Sequence, residues 1–369
     1  AEIDGSPGVI QRLEEIPLED FLPRKPIALD VAPIRELVAG RRVLVTGAGG
    51  SIGSELCRQL LALGCSHLSM VDHSEFMLFE IDRELSSTGS DAVRRAILAN
   101  VRDTDRIAGV VRDERPDIVF HAAALKHVAL VENNPAEGVL TNVLGTWNVI
   151  QAAVAQGVAQ FVLISTDKAV APTNVMGSTK RIAEALLDLA PEAETRMTAV
   201  RFGNVLGSAG SVVPIFRDQI ARGGPVTVTH PEVNRFFMTI PEAVQLVLHS
   251  TAVSAGTGGG KPRKFLLEMG RPVKIVDLAR QMIELCGKVP DVDVMIQFTG
   301  LKPGEKLAEV LSDDGEEVLP CVEGIMEVKS SGPGLIPDRL LALIDCASGP
   351  QSHTITDVVS QTIQEISLS

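Results

Sequence analysis

Asp167 and Lys168 stand side by side where the apolar run Val162-Leu163-Ile164 gives way to polar residues, and a second lysine, Lys180, follows twelve residues on. A neighbouring carboxyl and amine can serve one substrate as acid and base, which asks for a proton on Asp167 and a free lone pair on Lys168. Thr166 adds a hydroxyl beside them. Four residues before Lys180 stands Met176, a side chain with no proton to give. The 369 residues contain no tyrosine, so no phenol elsewhere can stand in. Adjacent residues on a regular strand face opposite ways, so Asp167 and Lys168 can act together only if the chain leaves the pleat at Ser165 or Thr166. An exposed Asp-Lys turn and a solvated Lys180 are the plainer readings of the same residues.

A second constellation lies upstream. Val43-Leu44-Val45-Thr46 runs into Gly47-Ala48-Gly49-Gly50-Ser51-Ile52-Gly53 and then a helical pattern. Gly47, Gly50 and Gly53 let the turn tighten and the backbone of Ser51 and Ile52 approach a diphosphate at the positive end of a helix. A plain tight turn would use the same glycines. The next strand, however, ends at Asp72, nineteen residues past Gly53, where a carboxylate can accept both ribose hydroxyls of a dinucleotide. It would repel a 2′-phosphate, and neither Arg nor Lys occurs in Asp72-His73-Ser74-Glu75. NAD is therefore expected rather than NADP. Asn100-Val101 follows the third strand, with the Asn100 amide either on the adenine edge or in a polar turn capping the next helix. Ala122 and Ala123 supply small residues where backbone must lie close to a cofactor, and His121 reads as a packed strand-end histidine.

The elements that must carry these residues alternate, from residue 42, between short β-branched runs and longer amphipathic ones. Strands are predicted at Arg42–Thr46, His67–Asp72, Arg95–Leu98, Asp117–His121, Gln160–Ser165 and Met197–Phe202, and helices at Ser51–Leu63, Asp105–Arg112, Pro135–Ala155 and Asn174–Leu189. That is the pattern of an α/β fold, a Rossmann-like doubly wound parallel sheet. Residues 41–203 read as the dinucleotide-binding domain. Residues 204–330, with shorter Pro- and Gly-punctuated elements, read as a smaller C-terminal substrate-binding domain. They include an apolar strand at Lys264–Met269, helices near Ile240–Val253 and Lys274–Leu285, and a surface loop at Gly256–Gly260. Residues 1–40, with Pro17, Pro23, Pro26 and Pro33, read as an extended arm, and 331–369 as tail helices.

The net charge of −13 argues against nonspecific nucleic-acid binding. Five cysteines without ligand spacing argue against a disulfide framework or a metal site, and a cytoplasmic setting is expected. Val139–Ser165 is interrupted by polar residues, so no transmembrane segment is predicted, and the polar start carries no signal-peptide pattern. That start, without an initiator methionine, suggests a fragment processed from something longer.

The chain resembles the extended short-chain dehydrogenase/reductases. Within them it is similar to the nucleotide-sugar 4,6-dehydratases that act on UDP-N-acetylglucosamine in bacterial polysaccharide and glycan synthesis. The resemblance covers Leu13 to about Glu309 and rests on Thr46–Leu56, Ala122–Val128 with Lys126, Ser165–Lys180, Arg201–Gly207, Arg235–Glu242 and Leu301–Lys306. In the wider superfamily a tyrosine occupies the position of Met176, and its lysine partner holds the nicotinamide ribose, a role implied for Lys180. Asp167 is implied as acid to the C6 oxygen, Lys168 as base at C5, and Thr166 as a hydrogen-bond partner of the C4 hydroxyl. Either Thr166 relaying to Asp167 or a bound water would take the C4 hydroxyl proton. NAD would be tightly bound and recycled. Asn204 and Arg235 are implied at the diphosphate, and Glu305 at the uridine ribose. Lys302 stands where the family pattern has Arg, which removes a bidentate contact.

The arm Leu13–Leu22 resembles the segment preceding the catalytic domain of membrane-anchored, C5-retaining members, so retention is preferred. That also implies an upstream anchor and a place at the cytoplasmic face of the inner membrane. A homo-oligomer is expected, built through Pro135–Ala155 and Asn174–Leu189. Alternatives are a C5-inverting dehydratase, a nucleotide-sugar 4-epimerase and a non-catalytic NAD-binding sensor. The epimerase has no use for an acid-base pair at 167 and 168. The sensor has no need of Lys180, Asp167 or Lys168.

Overall fold

The computed structural model describes residues 27, 30–191, 194–256, 260–330, 335–349 and 354–367. The larger unit, Leu29–Phe202, Val244–Glu268 and Val310–Ser369, is built on a nine-stranded sheet. Its strands are β1 Arg42–Thr46, β2 His67–Asp72, β3 Val93–Leu98, β4 Ile118–His121, β5 Gln160–Ile164, β6 Arg196–Arg201, β7 Arg263–Leu267, β8 Glu316–Val322 and β9 Ile325–Ser330. The order is β8-β9-β7-β6-β5-β4-β1-β2-β3. Pairings from β3 to β7 are parallel, and β8 and β9 add antiparallel. Strands β2, β4 and β5 are buried along their whole length, because helices cover both faces of a parallel sheet. Strand order reverses between β1 and β4, so the loops after these two strands flank a crevice at their carboxyl ends.

Each predicted strand of the first two hundred residues is present, with ends moved by one or two residues. Two helices differ from expectation. Ala32–Val38 is helical although it lies in the predicted extended arm, because Pro33 falls in the first turn, where a missing N–H costs nothing. The predicted Pro135–Ala155 helix is interrupted by a π-helical turn at Leu140–Leu144, between Pro135–Val139 and Gly145–Ala155. Asn142 lies in that turn, buried, with its Oδ1 accepting the Leu125 N–H at 2.8 Å and its Nδ2 donating to Leu125 O and Thr179 Oγ1 at 2.9 Å each. These bonds tie the π-turn to Leu125 and Thr179.

The smaller unit, from Gly203–Ala243 and Met269–Glu309, has its own core of Leu206, Phe216, Ile220, Val228, Phe237 and Ile283. Three short strand pairs frame it: Asn204–Val205 with Phe237–Met238, Asn234–Arg235 with Val273–Lys274, and Val226–Val228 with Ile296–Phe298. This unit is less than the 204–330 predicted. Phe265, Leu266 and Leu267 are fully buried as the seventh strand of the large sheet, and β8 and β9 continue it. The region read as tail helices holds Pro337–Ser348 and Ile355–Ser367, whose Leu340, Leu343, Ile355 and Val359 enter the larger unit's core. Among the described residues no helix is long and apolar enough to cross a membrane. The Leu13–Leu22 arm and the centre of the Gly256–Gly260 loop lie outside the described residues.

Candidate active site

The glycine-rich turn after β1 is packed to its backbone. Gly47 has φ +67°, and a Cβ there would sit 2.7 Å from the Ala123 nitrogen, so the loops after β1 and β4 touch through main chain. A Cβ on Gly53 would overlap the Gly47 carbonyl, which fixes the helix start against the turn. Gly49, outside the predicted glycine triplet, is equally constrained: its Cβ would lie 2.5 Å from that of Met77. Gly50 serves as the N-cap of the helix Ser51–Ala62, and the first-turn amides of Ser51 and Ile52 lie at its positive end. Asp72, buried at the end of β2, accepts the Gly49 N–H on one oxygen and the Ser74 N–H on the other, both at 2.9 Å. A carboxylate has about four lone-pair sites, so this leaves capacity for two further donors.

Asn100 lies in a turn, its Oδ1 accepting the Arg102 N–H at 3.1 Å, and the cap of the next helix is not Asn100 but Asp103, which accepts from Arg106. Val101 is buried, and its side chain leaves no room for a Cβ on Gly145. Ala122 donates its N–H to Thr46 O at 3.1 Å. His121 is fully buried between two hydroxyls, Thr46 Oγ1 at 2.7 Å from Nδ1 and Thr146 Oγ1 at 3.0 Å from Nε2. Burial, with the Lys180 charge adding to it, pulls the His121 pKa down to about 3, so the ring is neutral, as a packed histidine should be.

The chain leaves the pleat where the pair requires. Strand β5 ends at Ile164, Thr166 is the N-cap of a 3₁₀ turn at Asp167–Ala169, and its Oγ1 accepts the Lys168 N–H at 3.3 Å. Within this turn Asp167 and Lys168 meet: Lys168 Nζ lies 3.0 Å from Asp167 Oδ1, and Thr166 Oγ1 donates to the same oxygen at 2.9 Å. Asp167 is fully buried, and its Oδ2 has no hydrogen-bond partner among the described residues. A buried carboxylate oxygen left unpaired is costly, and it marks a group held for chemistry or for an incoming donor.

The helix Val175–Leu189 lies directly on this turn, since a Cβ on Gly177 would collide with the Lys168 carbonyl. It places Met176 in the core and Lys180 beneath β5, with Nζ donating to Ile164 O at 2.6 Å. Burial lowers the Lys180 pKa to about 8, against the opposing pull of Glu184. Lys126, on the loop after β4, has its pKa lowered by partial loss of water around its ammonium and by the nearby charge of Lys168.

Sequence reading missed the charged cluster behind the turn. Glu184, one helical turn past Lys180, accepts Ser165 Oγ at 2.5 Å and both Nε and Nη2 of Arg201, at 2.8 and 2.7 Å. Arg201 also binds Glu316, and both Glu184 and Arg201 are wholly buried. Burial alone would push the Glu184 carboxyl up; the Arg201 guanidinium overrides it and holds the pKa at about 2. Arg201 opens the Arg201–Gly207 stretch that carries part of the resemblance, and its side chain belongs to this cluster. The available signal was Glu184 standing four residues past Lys180 in a helix otherwise apolar on that face.

In the smaller unit, Arg235 and Glu305 are brought together. Arg235 Nη2 lies 3.3 Å from Glu305 Oε1, and Arg235 Nη1 donates to the carbonyls of Asn234 and Leu307 at 2.7 and 3.2 Å. Glu305 also accepts from Thr229 Oγ1 at 2.9 Å and from the Lys302 N–H at 3.1 Å. Asn204 donates its N–H to Phe236 O, and the Lys302 side chain is exposed.

Known proteins share this framework. The chain is 48% identical over 310 residues to the capsular polysaccharide biosynthesis protein CapD of Staphylococcus aureus, covering 83% of this chain and 51% of that one. It thus spans about half the length of that relative. It is 33% identical over 283 residues to a UDP-N-acetylglucosamine 4,6-dehydratase (inverting) of Campylobacter jejuni, covering 74% of this chain and 79% of the other. A UDP-glucose 4-epimerase of Rickettsia akari is also 33% identical, over 279 residues, covering 73% and 77%. Among solved structures, Pen from Bacillus thuringiensis superposes with a TM-score of 0.72 at 35% identity, covering 80% of this chain and 89% of that one. A family model described as polysaccharide biosynthesis protein matches residues 43–329, from β1 into β9, and the chain belongs to that family.

Proposed function

We propose that this chain catalyses the NAD-dependent 4,6-dehydration of UDP-N-acetylglucosamine to a UDP-4-keto-6-deoxy-N-acetylhexosamine. The observation that carries this reading is the 3.0 Å contact of Lys168 Nζ with Asp167 Oδ1 in the turn after β5, beside a buried Asp167 oxygen without a partner. Dehydration needs an acid and a base at neighbouring carbons; a 4-epimerase needs neither at this place. The 33% identity to a protein named as such a dehydratase supports it.

In this reading Lys168 takes the C5 proton and Asp167 gives a proton to the departing C6 hydroxyl. Thr166 holds the C4 hydroxyl while donating to Asp167 Oδ1, and a bound water takes the first proton. Lys168 and Thr166 thus share one Asp167 oxygen; the carboxylate left by delivery to C6 is recharged from solvent, and Lys168 returns a proton to C5 as the hydride reaches C6. NAD, when bound, would accept a hydride from C4 and return it to C6. The residues that would hold it are Gly47, Gly50, Ser51, Ile52 and Gly53 at the diphosphate, Asp72 at the adenosine ribose, and Lys180 at the nicotinamide ribose, with Asn100, Val101, Ala122 and Ala123 alongside. The backbone-tight glycine turn and the buried carboxylate ending β2 fit such a group. Lys126, Asn204, Arg235, Lys302 and Glu305 would contact the UDP-sugar.

Retention at C5 is the preferred outcome; inversion is the second reading, favoured by the word "inverting" in the name of the Campylobacter relative. The test is incubation with UDP-N-acetylglucosamine and no added cofactor, followed by proton NMR of the product. A 4-keto-6-deoxy sugar is expected, and the H5 couplings assign C5. Recovery of a C4 epimer, or of unchanged substrate, would overturn the proposal.

A further inference from the structure

The turn that carries Asp167 and Lys168 is pinned on both sides by one ionic cluster. Upstream, Ser165 Oγ donates to Glu184 Oε1 at 2.5 Å. Downstream, the Ala171 N–H donates to Asp313 Oδ1 at 2.7 Å. Between them run Arg201, bound to Glu184 and Glu316, and Arg181, which lies 3.0 Å from Glu316 and 3.2 Å from the second oxygen of Asp313. Asp313 and Glu316 also bind each other's main chain, Asp313 N–H to Glu316 Oε2 at 3.1 Å and Glu316 N–H to Asp313 O at 3.0 Å. The carboxylate that reaches Ala171 is therefore itself fixed, on the segment leading into β8.

Ala171 needs such a grip. Its φ is +39°, a left-handed conformation that a residue bearing a Cβ adopts only where its surroundings impose it. Strained backbone beside a candidate acid and base is where an enclosing structure stores positional control. Asp313 lies outside every motif that points to chemistry, and neither its sequence position nor its exposure suggests a role.

We propose that Asp313 is a positioning residue: by gripping the Ala171 amide while Arg181 holds its other oxygen, it sets the turn in which Asp167 and Lys168 meet. This rests on the dehydratase reading above. Displacement of a reacting group by about 1 Å costs on the order of 100-fold in rate. Loss of the grip should therefore strike the steps that Asp167 and Lys168 perform and spare those they do not.

The test uses the full chain with Asp313→Ala and Asp313→Asn. In the alanine variant, amide hydrogen exchange over residues 166–171 should rise about ten-fold or more, with protection of β1 and β4 unchanged. C5 proton exchange with solvent should fall about 100-fold, while KM and the single-turnover reduction of bound NAD by substrate stay within about three-fold. Asp313→Asn keeps an oxygen for Ala171 and should recover most of the C5 exchange. If the alanine variant does not fold, Asp313→Ser, too short to reach Ala171, is read by the same measures. Unchanged protection of 166–171, or an equal loss of C4 oxidation and C5 exchange, would overturn the proposal. If the unaltered chain forms no 4-keto sugar, it is the dehydratase reading that fails, and amide exchange still decides whether Asp313 holds the turn.

Discussion

Two ion pairs, one in each unit, show how the same chemistry is used for opposite ends. Arg201 and Glu184 in the larger unit are wholly buried, joined by two hydrogen bonds under 3 Å, and extended by Glu316 and Arg181. Arg235 and Glu305 in the smaller unit meet by one contact of 3.3 Å, with side chains 10% and 20% exposed. The first pair cannot exchange partners, because water does not reach it and separating the charges would leave each unpaired in a low dielectric. The second can trade its weaker contact for a ligand's phosphate or hydroxyl, since a guanidinium fork matches phosphate at least as well as carboxylate. Rigid charge supports the turn; exchangeable charge suits a substrate.

The contrast is broken most severely at the turn itself. Asp167→Asn should lower formation of the 4-keto-6-deoxy product by about 1000-fold, as removal of a general acid does. C5 exchange should outlast it, which is checked by deuterium incorporation into recovered substrate in heavy water. Next comes the buried pair: Glu184→Gln should destabilise the larger unit by about 1.5–3 kcal/mol in denaturant titration, because Arg201 loses its charged bonds to Glu184 and keeps only those to Glu316. The matching change Glu305→Gln should cost under about 1 kcal/mol of stability and act on KM instead, as expected for a partly exposed pair. Equal destabilisation by the two would erase the distinction.

A further effect comes from pH, read as a slope. His121 has a folded pKa of about 3 against an ordinary 6.5, so its contribution to stability is full above pH 6.5 and is lost as pH falls toward 3. The slope within that window should approach about 1.4 kcal/mol per pH unit and should flatten in His121→Asn. Glu184, held at about 2, contributes fully above its ordinary 4.5 and loses that contribution only as pH falls below it, so the onsets of the two losses separate on a stability-versus-pH curve.

How far the sequence foretold this molecule follows burial. Strands β1, β2, β4 and β5 were legible because a sheet covered on both faces demands continuous apolar runs, and Val43-Leu44-Val45 or Phe161-Val162-Leu163 can be little else. The turn at Asp167 was legible because an acid and a base are seldom adjacent at the end of such a run. Three things were not. The π-turn at Leu140–Leu144 depends on Asn142 reaching Leu125 and Thr179, contacts distant in sequence. The boundary of the smaller unit depended on β7 pairing with β6, and local pattern does not say which strand a run will join. The Glu184–Arg201–Glu316 cluster draws its parts from three separate elements, and charged residues read one at a time look like solvated surface.

The central claim, that Lys168 is the base at C5, is tested most directly by Lys168→Ala incubated with UDP-N-acetylglucosamine in heavy water. Substrate should still be oxidised at C4, seen as reduction of bound NAD, while no deuterium enters C5 and no 4-keto-6-deoxy sugar forms. Normal product carrying deuterium at C5 would contradict it.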